Sequence, residues 1–193
     1  MNMDEKHTPV IDNLTGSFLL STPKMPDPRF MEQVILICAH GQEGAMGVAV
    51  NKPHESLRVS DILNSSKLPL PDGPLPPVYI GGPVDLEAAF ILYGNDFDTD
   101  NKVEINEHLA ISREIKLLEE ISRGHGPKQY LLILGYAGWG PGQLEAELVA
   151  DGWLSLPGDE QIIFQVEDDL KWQRAAIAYG IDIATFGDVV GTA

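Results

Sequence analysis

The chain has 193 residues, with 29 Asp and Glu against 13 Lys and Arg and a formal net charge of -16. Nucleic-acid affinity depends on Lys and Arg displacing counterions from phosphates, and the sequence has no concentrated basic patch, so direct nucleic-acid binding is not expected. No apolar run is long enough to cross a bilayer, and the N-terminus lacks the apolar stretch of a secretory signal. The single cysteine, Cys38, excludes an internal disulfide. We therefore expect a cytoplasmic protein with no membrane association.

The chain length predicts a single domain with one core, spanning residues 13–193 after a disordered N-terminal tail at residues 1–12. Short apolar runs bounded by turn residues predict strands at Ser17–Ser21, Gln33–Ala39 and Ala45–Val50. The last two are expected to form a hairpin across HGQEG. Asp27 followed by Pro28 predicts an N-cap and one helical turn. Helical spacing follows at Leu57–Leu63, and the proline-rich stretch from Leu68 to Pro77 predicts an extended connector.

The second half of the chain mixes strands and helices without regular alternation. Strands are predicted at Val78–Ile80, Ala88–Tyr93, Val103–Ser112, Tyr130–Leu134, Trp153–Leu156 and Ile162–Gln165. Helices are predicted at Glu114–Ser122, from Gly140 to about Ala150, and from near Asp168 to Gly180. This uneven order favours an α+β fold with mixed or antiparallel sheets over a regular parallel winding.

The stretch LGYAGWGPGQLEAEL, residues 134–148, places four glycines between an apolar strand and a helical pattern. A glycine-rich loop that leads into a helix can hold phosphate on unpaired backbone N–H groups. This one lacks the dinucleotide fingerprint and the Lys-Ser/Thr pair of a P-loop, and Glu145 and Glu147 would repel an anion. The favoured interpretation is a helix start with Gly140 as N-cap, and phosphate binding is the alternative.

The loop DFDTDNKVEINE, residues 96–107, has the acidic spacing of a twelve-residue calcium loop. The acids that match positions 1, 3, 5 and 12 are Asp96, Asp98, Asp100 and Glu107. Asn101 replaces the glycine of the sharp turn, and the flanking runs predict strands where such a site requires helices. Chance spacing in a hairpin loop is the favoured interpretation, with calcium as the alternative and no other metal expected.

Cys38 and His40 are two apart at the end of a predicted strand, which would place both side chains on one face. A thiol and an imidazole can act as nucleophile and base only when they are in contact and a third group orients them. Residues two apart on a strand do not readily reach each other, so Cys38 is expected to be a core residue. The sequence predicts no catalytic residue, and no cofactor is expected.

Three ordered blocks resemble the YqgE/AlgH family of bacterial proteins. They are GSFLLSTPKMPDPRFMEQVILICAHGQEGAMGVAVNKP at residues 16–53, GGPV at residues 81–84, and GYAGWGPGQLEAEL at residues 135–148 followed by Trp153. The resemblance covers the chain from Asn13 to the final helix. It implies an α+β fold in which sheets form a barrel-like core with helices outside. The family's biochemical activity is unassigned, and the alginate-regulator label of some members implies a role in transcription.

The resemblance directs attention to polar, glycine and aromatic residues in the motif loops. The candidate binding residues are Asp27, His40, Asn51, Gly81, Gly82, Trp139, Gly140 and Gln143. We expect a non-catalytic binding or regulatory protein that acts through a protein partner or a small molecule. One alternative is a cofactor binder or enzyme with a pocket between His40, Asn51 and residues 138–143, and another is a transcriptional regulator. The competing structural explanation is that the glycines serve backbone geometry and Trp139 serves packing.

Overall fold

Short strands with alternating apolar residues build one ten-stranded sheet in the computed structural model, which describes residues 13–150 and 152–185. The strands are β1 Ser17–Ser21, β2 Val34–Gly41, β3 Gly44–Ala49, β4 Pro53–Arg58, β5 Pro77–Ile80, β6 Val84–Gly94, β7 Val103–Glu104, β8 Leu109–Ser112, β9 Tyr130–Trp139 and β10 Trp153–Pro157. The predicted tail at residues 1–12 lies outside the described residues.

Five helices accompany the sheet within the described residues. They are α1 Val59–Ser65, α2 Ile115–Ser122, α3 Gln143–Val149, α4 Glu160–Gln165 and α5 Lys171–Ile177, with 3₁₀ turns at Pro28–Phe30 and Ile183–Thr185. No helix in this part of the chain has the length and hydrophobicity needed to span a membrane.

The sheet runs in the order β10-β1-β2-β3-β9-β6-β8-β7, and every neighbouring pair in this order is antiparallel. Strand β5 adds a parallel pairing to β9, and β4 pairs with β5. The sheet curls into a half-barrel, so the predicted α+β class with a barrel-like core is confirmed.

The inner face of the curled sheet carries the main core, where α4 and α5 pack through Ile162, Ile163 and Ala175. The opposite face carries two smaller clusters. One lies under α1 and α2, and the other joins β2, β9 and β10 to α3. The site described below belongs to the cluster at α3.

Gly135 changes which face each residue of β9 occupies. Before it, Leu131 and Ile133 pack in the inner core, whereas after it Tyr136 packs there and Trp139 packs on the opposite face with α3. Alternation along a strand has a period of two, so one irregular residue shifts every later side chain to the other face. Gly135 has a φ of +70°, a conformation that glycine adopts without steric cost. Trp139 reaches α3 because of this shift.

Several predicted elements are confirmed, including β1, the hairpin of β2 and β3, the turn after Asp27, and α2. The strand predicted at Ile162–Gln165 is wrong, because these residues form α4 with Asp159 as a side-chain N-cap. A short apolar run fits a buried helix as well as a strand. The helix predicted at Leu57–Leu63 begins only at Val59, after β4.

Candidate functional site

A cavity of about 450 Å³ opens between the segment before β2 and the junction of β9 with α3. Its lining residues come from residues 24–30, from Pro83 and Val84, from the end of β9, from α3, and from Trp153. The volume lies within the range of small-molecule sites. Asp27, Trp139 and Gln143 of the candidate binding residues line it. The first and third sequence blocks therefore meet here.

Glu147 accepts hydrogen bonds from three side chains that form one wall of the cavity. The indole N–H groups of Trp139 and Trp153 both donate to its Oε2, each at 2.9 Å, and Gln143 Nε2 donates to its Oε1 at 2.9 Å. The spacing of Gln143 and Glu147 places them one turn apart on the same face of α3. Three donors hold the carboxylate in one orientation, which leaves acceptor capacity on Oε1 for a further donor.

The aromatic part of the wall is a chain of edge-to-face contacts. The Phe30 and Trp153 ring centroids are 5.6 Å apart, and those of Trp139 and Trp153 are 6.2 Å apart. Trp139 and Trp153 are buried residues, 7% and 4% exposed. Edge-to-face packing of this kind stabilises ring orientation, so the rings form a fixed wall.

Asp27 and Arg29 form the polar mouth. Asp27 caps the 3₁₀ turn at Pro28–Phe30 by accepting from the Arg29 N–H, and its carboxylate also pairs with the Arg29 guanidinium at 2.6 Å. The hydrogen bonds from Arg29 lower the pKa of Asp27. The pair is exposed to solvent, so its interaction is screened and contributes little to stability.

The glycine-rich stretch is not the loop that its composition suggested. Residues 134–139 belong to β9, and the N-cap of α3 is Gly142, in the left-handed conformation at φ +72°. The expectation that Gly140 caps the helix is therefore wrong, because the chain needs one further turn to leave the strand. Gly140 instead donates its N–H to Gln143 Oε1 at 3.0 Å. The Gln143 side chain therefore bonds both to the backbone before α3 and to Glu147 within α3.

His40 lies on the same side of the sheet as α3, next to the cavity but outside its lining. Its Nδ1 accepts from the Leu14 N–H at 3.0 Å, and its Nε2 lies 3.0 Å from Glu145 Oε1. An Nδ1 that accepts a backbone N–H is unprotonated, so the ring is neutral and donates from Nε2 to Glu145. Its side chain is only 5% exposed, and both nitrogens are used to hold the structure together.

Cys38 does not share a face with His40, contrary to the sequence expectation. Cys38 continues the alternation of Val34 and Leu36 into the inner core, and the register shift between Ile37 and Ala39 then places His40 on the opposite face, toward α3. Burial raises the pKa of the Cys38 thiol to about 12, and its Sγ approaches the Leu36 carbonyl at 3.6 Å. The expected core role of Cys38 agrees with this placement.

Asn51, Gly81 and Gly82 lie outside the cavity. The Asn51 amide accepts from the Val34 N–H at 2.9 Å and donates to the Glu32 carbonyl at 2.8 Å, so it ties the start of β2 to the end of β3. A Cβ on Gly82 would lie 2.2 Å from the Tyr136 carbonyl carbon, and one on Gly81 would lie 2.4 Å from the Gly135 oxygen. The two glycines allow close packing against β9. The pocket expected between His40, Asn51 and residues 138–143 is not observed, because neither His40 nor Asn51 lines the cavity at residues 138–143.

In the acidic loop at residues 96–107, carboxylates form ion pairs with lysines. Asp98 and Glu104 both contact Lys102 Nζ, at 3.0 and 3.1 Å, and Asp100 lies 3.3 Å from Lys116 Nζ. Within the described residues, no three His, Cys, Asp or Glu side chains converge as a metal site would require. The geometry therefore does not bring together the four acids of the calcium hypothesis.

Sequence reasoning missed the central residue of the cavity. The sequence pattern indicates Glu147 only as a charge that would repel phosphate, and it does not single out Phe30. The available signal was the four-residue spacing of Trp139, Gln143 and Glu147, although Trp139 is on a strand and its contact with Glu147 depends on the turn at residues 140–142.

The AlgH-like family model matches residues 18–184. The chain belongs to the AlgH-like family. It is 44% identical to a UPF0301 protein of Desulfotalea psychrophila over 182 residues, which cover 94% of this chain and 96% of that protein. A UPF0301 protein of Ruegeria pomeroyi is 41% identical over 173 residues, or 88% of this chain and 94% of the relative. The resemblance to the YqgE/AlgH family drawn from the sequence blocks is confirmed.

Two solved structures have the same fold. The solution structure of the AlgH protein from Pseudomonas aeruginosa superposes with a TM-score of 0.75 at 33% identity, covering all of both chains. A crystal structure of a protein from Corynebacterium diphtheriae gives a TM-score of 0.71 at 21% identity over 89% of this chain and 90% of the other, which supports the fold alone.

Proposed function

We propose that this AlgH-like protein is a non-catalytic binding protein whose ligand enters the cavity at Glu147. The observation that carries the proposal is the inner wall itself, in which one carboxylate is held by two indole N–H groups and an amide beside a third aromatic ring. A wall with fixed rings and one oriented acceptor selects a planar apolar group that carries a hydrogen-bond donor.

A positive charge on that donor is favoured. A cation beside Glu147 would gain from the carboxylate, and the net charge of -16 raises the local concentration of cations. The guanidinium of Arg29 at the mouth is matched by Asp27. The proposed ligand class is therefore a small planar amine, either free or as a side chain presented by a partner protein.

Binding is favoured over catalysis by the state of the polar groups. The two carboxylates that line the cavity are already engaged, Asp27 by Arg29 and Glu147 by the two indoles and Gln143. The lining contains no serine, cysteine or histidine among the described residues, so it holds neither a Ser-His nor a Cys-His pair.

The test is isothermal titration calorimetry with tryptamine, a planar amine, and with indole-3-acetate, which has a similar ring and the opposite charge. Tryptamine should bind and indole-3-acetate should bind at least tenfold more weakly. Val84→Phe narrows the cavity from an exposed position of β6 and should weaken tryptamine binding, whereas Leu86→Phe, exposed on the same strand but outside the lining, should not. Absence of tryptamine binding at millimolar concentration, or equal effects of the two variants, would contradict the proposal.

A further inference from the structure

A second concavity, of about 640 Å³, lies on the inner side of the half-barrel and is separate from the Glu147 cavity. Its apolar wall is formed by neighbouring strands through Cys38, Met46, Phe90, Ile111 and Tyr136. The same side chains belong to, or pack against, the inner core that α4 and α5 fill elsewhere. The concavity is therefore the part of the inner face that remains open, a position at which curled sheets commonly hold ligands.

Two rings give this concavity a defined shape. Phe90 and Tyr136 meet edge to face with centroids 6.0 Å apart, and Phe90 is only 6% exposed. Val103, at the rim on β7, is 54% exposed, which leaves an apolar side chain in solvent beside the opening. A ligand with an aliphatic or aromatic body would remove this surface from water.

Arg113 supplies a cation at the same opening. Its guanidinium carbon lies 5.1 Å from the centroid of Phe90. Among the described residues, no carboxylate lies within ion-pair distance of Arg113, in a chain where acidic side chains far outnumber basic ones. The guanidinium stacked on Phe90 therefore keeps its N–H donors available for a group outside the chain.

Glu114 also lines the concavity, but its carboxylate already has partners within the chain. Its carboxylate accepts from the Thr99 hydroxyl and lies 3.9 Å from Lys116 Nζ, and its side chain is only 9% exposed. The adjacent acid is thus directed toward Thr99 and Lys116, which reduces its repulsion of an anion at Arg113.

We propose that this concavity binds a small amphipathic anion, with the apolar body against Phe90 and Tyr136 and a carboxylate on the fork of Arg113. A carboxylate and a guanidinium form two parallel charge-assisted hydrogen bonds, which orient the ligand as well as hold it. Because the whole chain is acidic, the apolar body must supply much of the affinity, and a small hydrophilic anion should bind more weakly.

The test is calorimetric titration with decanoate below its micelle concentration, with 1-decanol as the uncharged ligand of equal chain length. Decanoate should bind, and Arg113→Met should weaken decanoate binding at least tenfold while changing decanol binding less than twofold. Arg123→Met removes a guanidinium that pairs with Glu120 on α2 and should change neither. Circular dichroism verifies that both variants fold.

The proposal is overturned if decanoate fails to bind, if decanol binds wild type as tightly as decanoate, or if Arg113→Met and Arg123→Met have equal effects. Binding at the other cavity is detected by repeating the titration with Val84→Phe. Loss of decanoate affinity in that variant would place the anion at Glu147 and also contradict the assignment to this concavity. The decanoate test is independent of the tryptamine test, so either proposal can fail while the other holds.

Discussion

The indole N–H groups of Trp139 and Trp153 converge on a single oxygen, Oε2 of Glu147, each at 2.9 Å. The two tryptophans lie on β9 and β10, which are separated in the sheet by β1, β2 and β3. Glu147 therefore connects two distant strands through α3 while it forms the wall of the cavity. Stability and the proposed ligand binding therefore depend on the same side chain.

Removing the Glu147 carboxylate should destabilise the fold. Glu147→Ala leaves two indole N–H groups without their acceptor, and we expect a loss of about 2–4 kcal/mol of unfolding free energy. Glu147→Gln keeps one acceptor oxygen for the indoles and should cost about 1 kcal/mol. Urea unfolding monitored by near-ultraviolet circular dichroism measures both. If Glu147→Ala were as stable as wild type, the two hydrogen bonds would not be structural.

Gly82 should tolerate no side chain. Its Cβ would lie 2.2 Å from the Tyr136 carbonyl carbon, so Gly82→Ala has to displace the backbone of β9. We expect a loss of more than about 4 kcal/mol or failure to fold. Gly41→Ala, where a Cβ meets no atom within 4 Å, is the matched control and should change stability by less than about 0.5 kcal/mol. Similar melting temperatures for the two variants would refute this account of Gly82.

The contact between His40 and Glu145 should give the protein a specific acid sensitivity. The Glu145 N–H and the hydrogen bond from His40 lower the pKa of the Glu145 carboxyl in the folded state. The contribution is therefore complete above the unfolded pKa of about 4.3 and is lost as pH falls through the lower, folded pKa.

The difference in unfolding free energy between wild type and Glu145→Gln should be constant near neutral pH and shrink below about pH 4.3. Chemical denaturation at a series of pH values measures it. His40→Ala should abolish part of the same pH dependence, since the histidine is the side-chain partner of Glu145. A difference that stays constant down to pH 2 would show that the folded-state pKa of Glu145 is not lowered.

Cys38 should be unreactive in the folded protein. Burial raises its pKa to about 12, so almost no thiolate is present at pH 8, and only 3% of the residue is exposed. Iodoacetamide labelling followed by mass spectrometry should show modification only when urea unfolds the chain. Complete labelling within minutes in buffer would instead indicate an open inner core at this residue.

Hydrophobic periodicity was sufficient for the elements in which it was unambiguous. The run of β1 and the amphipathic face of α2 each have one interpretation, and the structure confirms both. The run at Ile162–Gln165 fits either a strand or a helix, and only its packing against the inner core selects the helix. The irregularities at Gly135 and after Ile37 could not be predicted, because each depends on how neighbouring strands register.

The site was predictable only in part, for a similar reason. Asp27, Trp139 and Gln143 were found through the motif blocks, and they share one cavity. His40 and Asn51 have the residue types of a binding site, yet their polar atoms are used within the fold. Glu147 became visible as the organising residue only when its donors from two strands were brought together.

The most direct test of binding at Glu147 uses the three indole N–H resonances in a ¹H–¹⁵N spectrum of labelled protein during titration with unlabelled tryptamine. Trp139 and Trp153 line the cavity, whereas the Trp172 indole donates to the Ser21 carbonyl at 2.9 Å and lies outside the lining. We predict that the resonances of Trp139 and Trp153 shift in a saturable manner while that of Trp172 stays in place. Unchanged resonances for Trp139 and Trp153 at millimolar tryptamine, or equal movement of all three, would contradict the account.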